Sequence, residues 1–467
     1  MNVVEQKFEF TGQAKKNIFI TIAVGFVLLL IGMFLLNKNG LTDPHAHHEY
    51  SAETEHKGGM SHENGEATVA EEHHENHNGG HEAVAEEHHG GEEAHGEGHH
   101  GHHGPPHWTM RIIKGIWHNN IFFTGLALIG VFFVAFNYIA WAGWSAVIKR
   151  IPEAFGYFLP IGGVVMLVMF LMFHHQLFPW THEHVDEIIE GKKGFLNIPF
   201  FLVRMVIYFT LWILVWSILR RNSLNEDLAP AGDLKNYNNS VVWSGFFLVV
   251  FGISSSTSAW DWVMSIDPHF YSTMFGWYVF ASWFVSGLSM ITLIVVYLRE
   301  KGYLPMVNAS HLHDLGKYMF AFSIFWTYIW FSQFMLIYYA NIPEESIYFI
   351  ERLKTDAYSP FFFFNLFINF IFPFLALMTR ESKRQGIILK VVCIAILLGH
   401  WLDFYLMMTP PLLRQYGGFD GLFFLVELGL TMIYAGVFIF MVFFGLSKAN
   451  MVAKNHPMLQ ESLHHHI

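Results

Sequence analysis

Apolar runs of about 20 residues, parted by short polar stretches, dominate the chain, and there are ten of them. They fall near 17–36, 121–146, 156–178, 197–219, 241–258, 274–298, 315–339, 358–378, 387–409 and 421–446. A run of that length crosses roughly 30 Å of hydrocarbon as a helix. The pattern predicts an all-α polytopic membrane protein with ten transmembrane helices. Leu36-Asn37-Lys38 closes the first run and offers no small-residue cleavage site, so this run reads as an anchor rather than a removed signal. The chain then divides into an anchor helix (1–40), a long external loop (41–110), a nine-helix membrane domain (111–450) and a tail (451–467).

Basic residues orient such helices, because they are retained on the cytoplasmic side. The N-terminus, the alternate loops and the tail hold 17 Lys and Arg, whereas the opposite short loops hold five: Lys192, Lys193, Arg352, Lys354 and Arg414. Both termini are expected in the cytoplasm of a cell whose inner membrane carries the protein. The long first loop is then periplasmic, and Arg111 and Lys114 are placed in it.

Composition changes the picture in two places. Of 467 residues 53% are hydrophobic and 14% charged, which excludes an ordinary water-soluble enzyme. The net charge of −11 belongs to one segment, since 43–107 alone carries −14 and the remainder +3. That segment holds 17 of the 30 histidines and nothing able to form a core, so it is expected to be a solvated, disordered loop. His73, His74, His99, His100, His102 and His103 are weak metal-ligand candidates, because imidazoles bind Zn, Ni or Cu only loosely without fixed geometry. The closing His464-His465-His466 is assigned no role, and nothing points to nucleic acid. The single cysteine, Cys393, rules out an internal disulfide, a self-ligated iron-sulfur cluster or a C-x-x-C-H haem attachment.

Ionisable groups within hydrocarbon are costly and mark sites by default. His400 and Asp403 lie three residues apart on one face of the ninth helix. Depth counting at 1.5 Å per residue puts Glu427 of the tenth helix level with Asp403, and Arg204, His174 and His175 also in the outer half. One cluster of this kind suits a quinol site, which needs hydrogen-bonding partners and bases for two protons. It equally suits a proton relay, or a structural pairing of Arg204 with Asp403 or Glu427, and residue spacing leaves the three open. Gln333, Asn365 and Asn369 read as interhelical hydrogen-bonding residues. Pro373 is the one proline in mid-helix, with no acid near it in sequence.

The connection between the fifth and sixth helices is unusual: Ala259-Trp260-Asp261-Trp262-Val263-Met264-Ser265-Ile266-Asp267-Pro268-His269-Phe270-Tyr271-Ser272-Thr273 carries three ionisable groups and no Lys or Arg. It reads as an aromatic-belted outer loop, or as a half-inserted wall of a site. Together with Phe275-Gly276, Asp314-Leu315-Gly316-Lys317, Trp326-Thr327-Tyr328, Phe331-Ser332-Gln333-Phe334, Asn341-Ile342-Pro343-Glu344-Glu345 and the closing Glu461-Ser462-Leu463-His464-His465-His466, it resembles the ActF family. These are the second NrfD/PsrC-like membrane subunits of bacterial alternative complex III, a quinol:cytochrome c oxidoreductase. The resemblance runs from about residue 120 to the C-terminus, and the His-rich loop departs from it.

The resemblance implies two four-helix bundles, from helices two to five and six to nine, with the first and tenth peripheral. It implies an ActC-like sister subunit as the better quinol site, and multihaem cytochrome c and iron-sulfur partners that hold the haem c and clusters, in assemblies that extend to a terminal oxidase. This chain would then contribute menaquinone or menaquinol contact, a proton pathway, or both, with no covalently bound cofactor and no catalytic residue of its own. Asp261, Asp267, His269 and Gln333 come from the matched motifs; Arg204, His400, Asp403 and Glu427 come from the residues themselves. Two other readings stand beside it: a metal-ion transporter using His400 and Asp403, and a b-haem protein joining His174 or His175 to His400.

Overall fold

The computed structural model describes residues 6–38, 107–183, 185–230, 232–414 and 424–466. Ten of its helices are long and apolar enough to cross a membrane: α1 Gly12–Leu36, α2 Trp108–Ile139, α3 Arg150–Leu177, α4 Ile198–Leu228, α5 Lys235–Ile266, α6 Phe275–Glu300, α7 Ala309–Ala340, α8 Ser359–Ala376, α9 Gly386–Leu413 and α10 Phe424–Ser447. Among the described residues there is no strand, and the protein is a multi-pass, helical membrane protein. The His-rich loop, with His73, His74, His99, His100, His102 and His103, lies outside the described residues.

Three helices are longer than the apolar runs suggest. α2 begins before residue 110, so Arg111 and Lys114 are helical and buried rather than in the first loop. The regular helix of α5 continues to Trp262, which places Asp261 in its last turn instead of a loop. α9 runs through Pro410 and Pro411 to Leu413. Proline has no N–H for the carbonyl four residues back, which strands the carbonyls of Leu406 and Met407. Arg352 donates to both, from Nε at 2.8 Å and Nη2 at 3.1 Å, and so lets the helix pass.

Packing neighbours follow the chain. α2 lies against α3 and α5, α3 against α4 and α4 against α5; α6 lies against α7 and α9, and α8 bridges α7 and α9. α2 also touches α6, α9 and α10. A short amphipathic helix, Pro343–Lys354, joins α7 to α8. The backbone near Lys7 pairs with Asn450, and Met451 N–H donates to Gln6 at 2.9 Å, so both ends of the described chain meet on one face. We call it the termini face.

α1 docks on α10 through glycines. A Cβ on Gly429 would stand 2.6 Å from the Gly25 carbonyl oxygen, and one on Gly25 would stand 2.7 Å from that of Gly429. Such close approach maximises dispersion contact between helices that gain nothing from hydrophobic burial in lipid. Gly429→Leu is expected to weaken this seam by about 1–3 kcal/mol, the usual range for overpacking. A cysteine pair placed across α1 and α10 would report it as a lower cross-linking yield.

Candidate functional site

The ionisable residues marked by the sequence do not gather in one cluster; the structure divides them into three. The first joins α4 to α5. Arg204 Nε and Nη2 donate to the two Asp261 oxygens at 2.8 and 2.7 Å, and Nη1 donates to Phe195 O at 3.0 Å. The guanidinium lies against the Phe195 and Phe200 rings, 3.9 and 4.2 Å from their centroids. Arg204 therefore pairs with neither Asp403 nor Glu427. A bidentate fork on a buried carboxylate is strong and geometrically fixed.

Above this pair the α3–α4 connection and the α5–α6 loop enclose a groove of about 420 Å³, lined mainly by Phe195, Leu196, Trp260, Met264, Phe270 and Tyr271. Lys192 also lines it and donates to Pro268 O at 2.5 Å. Burial pulls the Lys192 pKa down from the usual lysine value, against the pull of Asp186, Asp267 and Glu345. His269 stands outside the groove lining and pairs with Asp186 at 2.5 Å. Asp267 turns to Arg414 at 3.3 Å, and Arg414 also holds Glu351 at 2.6 Å.

The second cluster is fully buried among α6, α7, α8 and α9. Trp326 Nε1 donates to Asp403 Oδ2 at 2.9 Å, Asn365 Nδ2 to Oδ1 at 2.9 Å, and the Tyr278 hydroxyl also to Oδ1. Asn369 Nδ2 donates in turn to Asn365 Oδ1 at 2.7 Å. The helix that carries Pro373 meets Asp403 through Asn365, eight residues before the proline. Its missing N–H accompanies a π turn over Phe367–Ile371 that carries Asn369 inward. Among the described residues the only basic group within 4 Å of the Asp403 carboxylate is His400, at 3.9 Å.

His400 Nδ1 sits 3.0 Å from Ser282 Oγ. Ser282, Ser286, Ser289 and Thr292 follow at positions i, i+4, i+7 and i+10 on one face of α6, all fully buried. The stripe leads from Asp403 toward the termini face. On the other side, Asp403, Gln333, Asn365, Tyr278, Tyr348 and Arg352 border a small cavity with room for about one water. A quinone ring does not fit there.

The third cluster is Glu427. Its Oε1 accepts from Lys114 Nζ at 2.8 Å and lies 3.8 Å from Arg111 Nη1, all with buried side chains. Lys114 also rests 4.4 Å from the Tyr405 ring centroid. One turn on, Asn119 Oδ1 accepts from Trp401 Nε1 at 3.0 Å and Thr431 Oγ1 at 2.9 Å, tying α2 to α9 and α10. Glu427 is thus one pole of an ion pair rather than part of the Asp403 site.

Sequence reasoning overlooked a fourth group near the termini face. Lys149, Arg150, Arg220, Glu153, Glu226 and Asp227 form three cations and three acids, largely buried. Arg220 meets Glu153 at 2.8 Å, Lys149 meets Glu226 at 3.1 Å, and Arg150 meets Asp227 at 2.8 Å. The bases read as orientation markers are also the network's poles; the signal in the sequence was Glu153, at i+4 from Lys149 and i+3 from Arg150. His456 of the tail packs against Tyr138 and Tyr237 beside it. Burial, with Lys149 and Arg150 adding to it, pushes its pKa from 6.5 down to about 2. A neutral buried imidazole stabilises the fold above pH 6.5, and this contribution is lost as pH falls and the unfolded chain takes up the proton. Stability is expected to drop by about 1.4 kcal/mol per pH unit below 6.5 from this group. His456→Phe should flatten that slope in thermal unfolding between pH 7 and 5.

The tail is more engaged than the sequence suggested. His465 Nε2 lies 2.5 Å from Asp314 Oδ2, and Asn308 Nδ2 donates to His465 O at 2.7 Å. His174 packs with Phe170 and His175 on α3, whereas His400 stands edge-on to Trp326 between α6 and α7. Among the described residues no three His, Cys, Asp or Glu side chains converge as a metal-ion site. No protein-family model matches the chain and no curated protein matches it in sequence, so its chemistry is read from the residues themselves.

Proposed function

We propose that the chain is a membrane subunit of a quinol:cytochrome c oxidoreductase of the alternative complex III kind, and that its own part in the reaction is to move protons. The observation that carries this is Asp403: a fully buried carboxylate held by three neutral donors, with His400 at 3.9 Å and the Ser282 to Thr292 stripe beyond. A carboxylate with no Lys or Arg within 4 Å among the described residues can take and release a proton, and His400 can pass it on. Hydroxyls at successive helical turns stand close enough for single waters to bridge them.

The neighbour pattern of the helices supports an NrfD/PsrC-like arrangement of two four-helix bundles, α2 to α5 and α6 to α9, with α1 at the edge. The bases at the termini face support cytoplasmic termini in an inner membrane. Quinone contact belongs to the groove beside Arg204 and Asp261, whose roughly 420 Å³ suits a ring and the first isoprene units. Haem c and iron-sulfur clusters belong to partner subunits, including an ActC-like sister. Gentle detergent purification from the native membrane tests this reading. Co-purified multihaem and iron-sulfur subunits, with proton movement during quinol oxidation in vesicles, are expected. A lone, colourless protein would overturn it.

A further inference from the structure

We infer that Arg352 is a charged plug that closes the Asp403 path toward the face opposite the termini, making it a half-channel open to the termini face only. The inference rests on the proton-moving reading of Asp403 and goes beyond it, because it assigns the direction and the element that sets it.

Three observations converge. Arg352 and Asp403 line the same one-water cavity. The Arg352 partners Leu406 O and Met407 O lie three and four residues beyond Asp403 on α9, so the guanidinium stands about 4.5–6 Å nearer the opposite face. The residue is 2% exposed, so its charge is poorly screened by solvent. A fixed cation there opposes any proton crossing that point.

The plug is braced by the motif that stood out in the sequence. Arg352 lies 3.4 Å from the Tyr348 ring centroid, and Tyr348 stacks on Phe270 of the α5–α6 loop at 4.0 Å. Asp267 of that loop and Glu351 of the short helix share Arg414. The loop therefore clamps the helix that carries the plug. The two prolines of α9 create the paired acceptors that fix the guanidinium, a placement one N–H donor could not reproduce.

The test is passive proton flux into vesicles containing the full-length protein, driven by a potassium diffusion potential and read with an enclosed pH dye. Arg352→Gln is expected to raise the flux at least about tenfold, since it removes a unit charge from a low-dielectric path. Arg352→Lys, which keeps the charge, should stay near the parent. Tyr348→Leu, which withdraws the ring beneath the guanidinium, should fall between them and remains informative if Arg352→Gln does not fold. Folded Arg352→Gln or Tyr348→Leu protein with parental flux would overturn the plug, as would equal leaks from the Gln and Lys variants. Adding Asp403→Asn to Arg352→Gln should return the flux to the parental level. A leak that survives this addition would instead overturn the Asp403 path itself.

Discussion

Asp403→Asn is expected to slow proton movement coupled to quinol oxidation by about 10²-fold or more, the scale on which a positioned proton-transfer group acts. In the proposed complex electron transfer should continue, so the ratio of protons to electrons falls while the haem spectrum stays. The fold should tolerate the change. An asparagine at 403 places an amide donor where the Asn365 amide now donates, but Asn365 and Asn369 can reverse together. Asn369 Oδ1 has no hydrogen-bond partner, so the chain of amides ends freely and the reversal breaks no bond at its far end. The residual cost is that of one rearranged hydrogen bond, about 1 kcal/mol. An unchanged proton ratio in a stable Asp403→Asn complex would remove Asp403 from the pathway. Gly399→Ala is a poor substitute test, because its Cβ would meet Asn369 Oδ1 at 2.2 Å and disturb the same amides by collision.

Asp261→Ala has the opposite signature. It leaves Arg204 buried without its carboxylate, which costs about 3–5 kcal/mol. Heating in detergent followed by size-exclusion chromatography should show loss of the monodisperse fraction at lower temperature. Replacing both partners, as Arg204→Met with Asp261→Leu, should return most of the stability, since a packed apolar pair matches a buried ion pair closely. If Asp261→Ala proves as heat-stable as the parent, the pair is not structural, and Asp261 becomes free to serve bound quinone directly.

The ten spans were legible because the bilayer forces an apolar run of fixed length on every crossing helix. Helix ends were less so. Asp261 looked like a loop residue because polar Ser254 to Ser258 interrupts the apolar run, yet the helix continues since its partner Arg204 lies across the interface on α4. Depth counting put Arg204, Asp403 and Glu427 at similar levels, but it carries no azimuth, and azimuth separates them onto different faces and partners. His400 with Asp403 was legible from a three-residue spacing on one helix. Tyr278, Trp326 and Arg352 were not, because they arrive from other elements and their types suit a membrane boundary or a basic loop equally well. Lys149 and Arg220 show the same ambiguity: one charge can orient a helix during insertion and later neutralise Glu226 or Glu153.

The glycine seam between α1 and α10 has a consequence for biogenesis. α1 finds its partner in α10, with 388 residues from Leu36 to Phe424 still to be synthesised. At 5–20 residues per second this leaves α1 alone in lipid for about 20–80 s. During that interval Gly25 and Gly32 present a docking stripe to any neighbouring helix, including α1 of another nascent copy. The membrane must hold α1 unpaired in reserve until α10 has been made.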